Sequence, residues 1–180
     1  MAQSLPHLYY YPSPLGRLVL ASDGASLVGL CFDGQPSKPR WLCNHFPSTP
    51  VTALTDVAVP ALRQASEWLD AYFGGAIPLS APPIALSGTP FQLAVWRLLL
   101  SIPYGQTVTY GALAAELART FGLDRMSAQA VGHAVACNPV MLIVPCHRVV
   151  GAGGRLAGYA GGQERKQRLL QLERAELPPQ

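Results

Sequence analysis

Charge is scarce in this chain: Asp, Glu, Lys and Arg together supply 13% of its 180 residues, against 49% hydrophobic residues. That excludes a highly solvated, disordered chain, and the length suffices to bury a core as one domain or two small ones. Long apolar runs are also missing. The longest, Val140 to Val144, is far too short to span a bilayer, so no membrane association is expected. The first residues, "MAQSLPHLYYYPSPLGRLVL", carry no basic segment followed by an apolar one, which excludes a recognisable secretory signal and makes the cytoplasm the expected location. No internal repeat or low-complexity tail is present.

The four cysteines, Cys31, Cys43, Cys137 and Cys146, form no CxxC pair and no disulfide framework, so free thiols are expected. His7, Cys31, Cys43 and His45 lack the paired spacing of structural zinc modules, and neither metal nor cofactor is expected. The small charge complement is unevenly shared. Residues 1–88 hold four basic and five acidic side chains, residues 89–180 nine and five. The resulting +4 points weakly to a polyanion partner on the second half; a solvated surface is the plainer alternative.

What is present divides at residue 88. In residues 1–88, "GRLVLAS" and "SLVGLCF" are short apolar strands, separated by Asp23-Gly24 and closed by Asp33-Gly34. A polar, Pro-rich loop follows. From Asp56 to Phe73, Val57, Leu62, Ala65, Leu69 and Tyr72 recur at helical spacing, and Gly74-Gly75 stops the helix. The uncharged "AIPLSAPPIALSG" is a linker. Residues 89–180 are helical. Thr89 and Pro90 start one helix as N-cap and first residue, and Pro103-Tyr-Gly105 ends it. A second begins near Thr109, and a third, "SAQAVGHAVAC", stops near Asn138 because Pro139 disfavours helix before it. This pair is a helix-turn-helix candidate.

The residues richest in chemistry are "IVPCHRVVG", 143–151. A cysteine attacks only as thiolate, and the ordinary thiol pKa of about 8.5 calls for a base or positive charge beside it. His147 is such a base, Arg148 a positive charge, and an apparent pKa below the ordinary value is predicted for Cys146. Neighbours on an extended strand point to opposite faces, so joining Cys146 to His147 requires a bend in the chain or a bridging water. A third group must hold the imidazole; the tail segment offers Glu164, Glu173 and Glu176. Plain packing of a buried cysteine is the rival reading.

"PCHRV" resembles the active-site signature of the O6-alkylguanine-DNA alkyltransferases, and the likeness is wider. "TPFQLAVWRLLLSIPYGQTVTYGALA", "AVGHAVACNP" and "GYAGGQERKQRLLQLE" are similar to this family in order and spacing, and "SPLGRLVLASDGASLVGLCFDG" to its less constrained first domain. The resemblance implies an α/β N-terminal domain of RNase-H-like shape, residues 1–88 with the linker. It also implies an all-α, winged-helix-like helix-turn-helix domain, residues 89–180, carrying the active-site cysteine. The implied activity is irreversible, single-turnover transfer of an alkyl group from O6-alkylguanine, flipped out of duplex DNA from the minor groove, to Cys146. The implied protein is a monomer with double-stranded DNA as its partner.

By the same resemblance His147 is a water-linked base and Glu173 its carboxylate partner. Tyr110 helps to extrude the base and protonates the departing guanine. Asn138 joins the recognition helix to the active-site loop, in a structural or catalytic role. Tyr159 is a wall of the base pocket, with the backbone of Val149 and the "GYAGG" loop against the base. Ala128, Gly132 and Ala136 recur every four residues and keep one helix face flat, which suits either the minor groove, about 6 Å wide, or close helix packing. His133 and Cys137, four apart, are two soft ligands without a third. One departure stands out: the family's arginine before "AVG" is here Gln129, which lacks charge and a planar guanidinium. Arg125 lies one turn earlier. A lesion sensor without a nucleophile and a transcriptional regulator are weaker readings, because each leaves Cys146 or "PCHRV" unexplained, and a cysteine hydrolase is weaker because the sequence makes no case for an oxyanion hole or a water-accessible acyl site.

Overall fold

The computed structural model describes residues 7–35, 59–78 and 80–174. These fall into two compact units, one of the residues before Gly88 with Pro139–Met141, the other of Gly88–Asn138 and the residues from Leu142 on.

The first unit is an antiparallel meander of β1 (His7–Ser13), β2 (Gly16–Ser22) and β3 (Leu27–Phe32), covered by α1 (Pro60–Phe73). β2 is the central strand, and Leu18, Val19, Leu20 and Ala21 are all buried, which is why it reads as a continuous apolar run. β1 escapes sequence patterning because Pro12 lies within it. An edge position accommodates that residue, paired with Arg17 of β2. The turn between β2 and β3 forms as its residues demand: the Asp23 carboxylate accepts from the Ala25 and Ser26 amides at 3.0 and 2.7 Å, and Gly24 takes φ 104°. Leu62, Ala65, Leu69 and Tyr72 of α1 are buried, and Asp70 accepts from the Tyr11 hydroxyl at 2.6 Å.

Two segments behave differently from their sequence reading. The linker is not wholly free chain, since the Leu27 amide donates to Pro83 at 2.8 Å and the Ala85 amide to Leu27 at 3.0 Å. Pro139–Met141, within the basic half, pairs with β3: the Leu30 amide donates to Pro139 at 2.9 Å and the Met141 amide to Leu30 at 2.8 Å. Asp56, Val57, Cys43 and His45, named above, lie outside the described residues.

The second unit holds α2 (Pro90–Leu100), β4 (Val108–Thr109), α3 (Tyr110–Phe121), α4 (Ala128–Ala136), β5 (Val149–Val150) and α5 (Gln163–Leu172). Thr89 caps α2 in a full capping box: its hydroxyl accepts from the Gln92 amide at 3.2 Å, and the Gln92 side chain accepts from the Thr89 amide at 3.0 Å. Trp96, buried, donates to the Ala134 carbonyl at 2.9 Å and ties α2 to α4. Thr109 and Ser127 cap α3 and α4, and left-handed Gly122 ends α3. The unit is not purely helical. β4 and β5 form a short parallel pair, Val108 opposite Val149 and Thr109 opposite Val150.

Thr89→Ala should lower stability by about 1 kcal/mol, and Thr89→Ser by much less, because only the alanine removes the cap acceptor. The urea midpoint of the C-terminal transition measures both; equal midpoints for alanine and wild type would mean the box contributes nothing.

Candidate active site

The β4–β5 pair sets the site. It brings the end of β4, one residue before Tyr110, alongside the strand that follows Cys146, His147 and Arg148. Those three residues form a single 3-10 turn. This is the bend that an extended "PCHRV" lacks, and it lets neighbouring side chains serve one site. The Cys146 amide donates to Val144 at 2.8 Å and the Arg148 amide to Pro145 at 3.0 Å.

Cys146 is buried, and its sulfur receives a hydrogen bond from the Asn138 side-chain amide at 3.1 Å. The same amide donates to the Val144 carbonyl at 2.7 Å, so Asn138 both pins the loop and touches the sulfur. Burial pushes the Cys146 thiol up to about 11, against the Asn138 amide, the Lys166 ammonium and the backbone N–H groups of Cys146 and His147, which pull it down. The predicted lowering is therefore corrected. Desolvation outweighs the nearby donors, and Cys146 rests as a neutral thiol.

His147 has no exposed surface, and its Nε2 lies 2.7 Å from Glu173 Oε1. Burial lowers the imidazole pKa in spite of Glu173, so the resting ring is neutral. Glu173, the residue that closes α5, is itself buried. Arg148 grips it with two bonds, Nε to Oε2 at 2.8 Å and Nη2 to Oε1 at 3.0 Å. The Arg148 guanidinium also donates to the Ile102 carbonyl at 2.7 Å and lies 5.6 Å from the centre of the Tyr104 ring. Burial raises the carboxyl pKa, but His147 and Arg148 overcome it and hold Glu173 well below the usual carboxylate range. The Gly105 amide adds a bond to Oε2 at 3.2 Å. Only glycine suits that position: φ is 76°, and a Cβ would stand 3.1 Å from the Glu173 carbonyl.

Tyr110, at the first position of α3, donates to the Gly158 carbonyl at 3.3 Å. Burial and the neighbouring Cys146 raise its pKa. The hydroxyl of Tyr159 is buried without a hydrogen-bond partner among the described residues, and burial holds its pKa well above the ordinary value. The Val149 carbonyl accepts from the Lys166 ammonium at 2.5 Å. Among the predicted residues, Cys146, His147, Glu173, Asn138, Tyr110, Val149 and Tyr159 thus converge. Gln129, Ala128 and Ala136 lie on the exposed face of α4, Gly132 is half-buried on it, and Arg125 is exposed ahead of it. A Cβ on Gly132 would meet the Tyr110 ring at 3.7 Å, an ordinary van der Waals contact. The Cys137 sulfur and His133 Nε2 are 3.7 Å apart on the exposed helix surface. Among the described residues no three His, Cys, Asp or Glu side chains are grouped to hold a metal.

Sequence reasoning gave Arg148 too small a part and missed Lys166. The signal for Lys166 is there: Lys166, Leu169, Leu170 and Glu173 fall at i, i+3, i+4 and i+7, one buried helical face.

The downward shifts of Glu173 and His147 have one sign for stability. The unfolded chain binds more protons than the native one, so stability is present above the ordinary values of 6.5 for His147 and 4.5 for Glu173 and is lost as pH falls through that range and below. Thermal melts of wild type should therefore fall from pH 7 to pH 4. Glu173→Gln should cost roughly 3–5 kcal/mol at pH 7, leaving Arg148 buried without its anion, and should melt with a flatter acid limb. An unchanged acid limb in that variant would overturn the assignment.

Comparison with known proteins covers both units. The profile described as "6-O-methylguanine DNA methyltransferase, ribonuclease-like domain" matches residues 7–82, and that described as "6-O-methylguanine DNA methyltransferase, DNA binding domain" matches residues 90–175. A methylated-DNA–protein-cysteine methyltransferase of Mycobacterium leprae is 41% identical over 174 residues, covering 95% of this chain and 94% of the relative. The crystal structure of Mycobacterium tuberculosis O6-methylguanine methyltransferase superposes with TM-score 0.76 at 39% identity, covering 97% of this chain and 96% of that one. A structure of the M. tuberculosis protein in complex with DNA gives TM-score 0.75 at 39% identity, over 93% and 92% of the two chains.

Proposed function

The chain belongs to the 6-O-methylguanine DNA methyltransferase family, proteins that repair DNA by direct alkyl transfer to a protein cysteine, and from that premise we propose that Cys146 is the acceptor, with O6-alkylguanine flipped from duplex DNA as donor. The observation that carries this reading is the Cys146 sulfur, bonded to Asn138, in one 3-10 turn with a buried His147–Glu173 pair.

In this reading the thiol proton passes by way of a water molecule to His147. Glu173, ionised and fixed by Arg148, stabilises the imidazolium that forms. The sulfur lone pair attacks the alkyl carbon, the carbon–O6 bond breaks, and guanine leaves with that electron pair. Tyr110 supplies a proton to the leaving purine; general acid catalysis of this kind is typically worth about a hundredfold or more. The high resting pKa suits a thiol that is uncharged until a substrate and a base are both in place. The thioether has no route back, so each molecule acts once. Tyr159 and the backbone of Val149 line the base, and the exposed face of α4 enters the minor groove. As a monomer acting on chromosomal DNA, the protein works in the cytoplasm. Among the described residues no helix is long and apolar enough to cross a membrane.

Incubation with a duplex containing O6-methylguanine should add one methyl group (about 14 Da) to Cys146, as for any covalent acceptor. Intact mass followed by peptide mapping reads it. A methyl on Cys31, Cys43 or Cys137 would sink the assignment, and Cys146→Ser should bind DNA without accepting a methyl.

Gln129 stands where an intercalating side chain would fill the place of the flipped base. Extrusion costs a few kcal/mol, recovered in part by such a side chain, and glutamine recovers less than arginine would. Gln129→Arg should therefore accelerate repair in duplex DNA far more than transfer from free O6-benzylguanine, which needs no flipping. Equal acceleration of both, or of neither, would remove position 129 from this role.

A further inference from the structure

Lys166 has no exposed surface. A lysine ammonium has three N–H donors and here spends them on three carbonyls: Val149 at 2.5 Å, Ala157 at 2.6 Å and Gly158 at 3.4 Å. None of these partners is an anion. The contrast with Arg148 is instructive, because that buried cation has Glu173. A charge buried without a counter-ion is costly, and a neutral donor would tie the same carbonyls together at lower cost. The arrangement becomes economical if an anion forms in the same pocket during the reaction.

The neighbours of Lys166 identify that anion. Its clamp joins β5, directly after the Cys146–Arg148 turn, to the Ala157–Gly158 segment, and Gly158 also accepts the Tyr110 hydroxyl. Tyr110 presents its ring 6.0 Å from the ammonium. The titratable groups that face Lys166 are Cys146, His147 and Tyr110. We propose that Lys166 is a positioning residue for alkyl transfer, fastening Val149 and the Ala157–Gly158 segment into one pocket wall and fixing there a positive charge whose counter-ion is the Cys146 thiolate formed in the reaction. The inference rests on Cys146 being the acceptor. Electrostatics agree with it: burial lowers the ammonium pKa to about 8 and Cys146 alone opposes that fall, while Lys166 in turn pulls the thiol down. Lys166 also disfavours the imidazolium of His147, which the Glu173 contact offsets.

The test pairs Lys166→Met, which removes charge and donors, with Lys166→Gln, which keeps a neutral donor. Two quantities are read for each: the single-turnover rate of methyl transfer from an O6-methylguanine duplex, and the pH midpoint of Cys146 carboxamidomethylation by iodoacetamide, followed by peptide mapping. Lys166→Met should transfer at least about tenfold more slowly, as when one preorganised electrostatic group is lost, and its midpoint should rise by about one pH unit. Lys166→Gln should recover part of the rate and none of the midpoint. Wild-type rates in the folded variants overturn the proposal, and so does slow transfer with an unmoved midpoint, which would make Lys166 a structural tie. If neither variant shows a native circular dichroism spectrum, Lys166 is a stability residue and the proposal fails. Wild-type protein that accepts no methyl at Cys146 removes the acceptor reading itself, whereas wild-type transfer that is indifferent to Lys166 removes only this inference.

Discussion

The Glu173 carboxylate, buried between an imidazole and a guanidinium, is the constraint around which the C-terminal unit is organised. Its two oxygens make four hydrogen bonds with three residues from two stretches of chain, His147 and Arg148 of the 3-10 turn and the Gly105 amide, and it projects from the end of α5, a third. A carboxylate in such a place costs several kcal/mol to desolvate, and only a full set of donors makes it tolerable. The geometry is accordingly strict. Gly105 must adopt positive φ, and the chain must bend at Cys146 for His147 and Arg148 to reach one acceptor. The ionic core that orients His147 is the same one that shapes the turn holding Cys146.

This arrangement explains why the thiol need not be acidic at rest. A surface cysteine raises its thiolate fraction by sitting near positive charge, and that logic underlay the sequence expectation. Cys146 is buried, and desolvation of the anion dominates every favourable contact. A neutral thiol beside a neutral imidazole and an ionised carboxylate separates charge only when the proton moves. That keeps Cys146 from indiscriminate electrophiles, a property suited to the acceptor role proposed for it. Specificity then resides in the pocket more than in the intrinsic reactivity of the sulfur.

Much of the fold was legible because local chemistry and tertiary structure agree. Thr89 and Thr109 cap the helices they precede, Asp23-Gly24 turns the hairpin, and the face of α1 at Leu62, Ala65, Leu69 and Tyr72 is buried as its spacing requires. β1 was hidden by Pro12, whose acceptability depends on an edge position that no sequence window records. The pairing of Pro139–Met141 with β3 is a contact between residues more than a hundred positions apart, with no local signature. In the site, the motif pointed to Cys146, His147 and Glu173, because thiol, imidazole and carboxylate chemistry is tied to residue type. Arg148 and Lys166 were harder, since a basic residue ordinarily faces water. Only the spacing of Lys166 with Leu169, Leu170 and Glu173 argues otherwise.

The small residues of α4 show how one sequence feature serves two physical demands. Packing and groove entry had stood as alternatives for Ala128, Gly132 and Ala136. The helix buries Val131, Ala134 and Val135, so it does not need its small residues for its main contact with the core. Ala128 and Ala136 are exposed, so burial in the core does not explain their size. Gly132 is different, lying under the Tyr110 ring, where a methyl group would be in ordinary contact with the aromatic edge. The outer two positions thus favour a surface kept low for a partner, while the middle one lies within contact distance of the residue proposed to protonate the leaving base. Tyr110 donates to the Gly158 carbonyl, a bond its hydroxyl would exchange in the proton-donor role proposed for it.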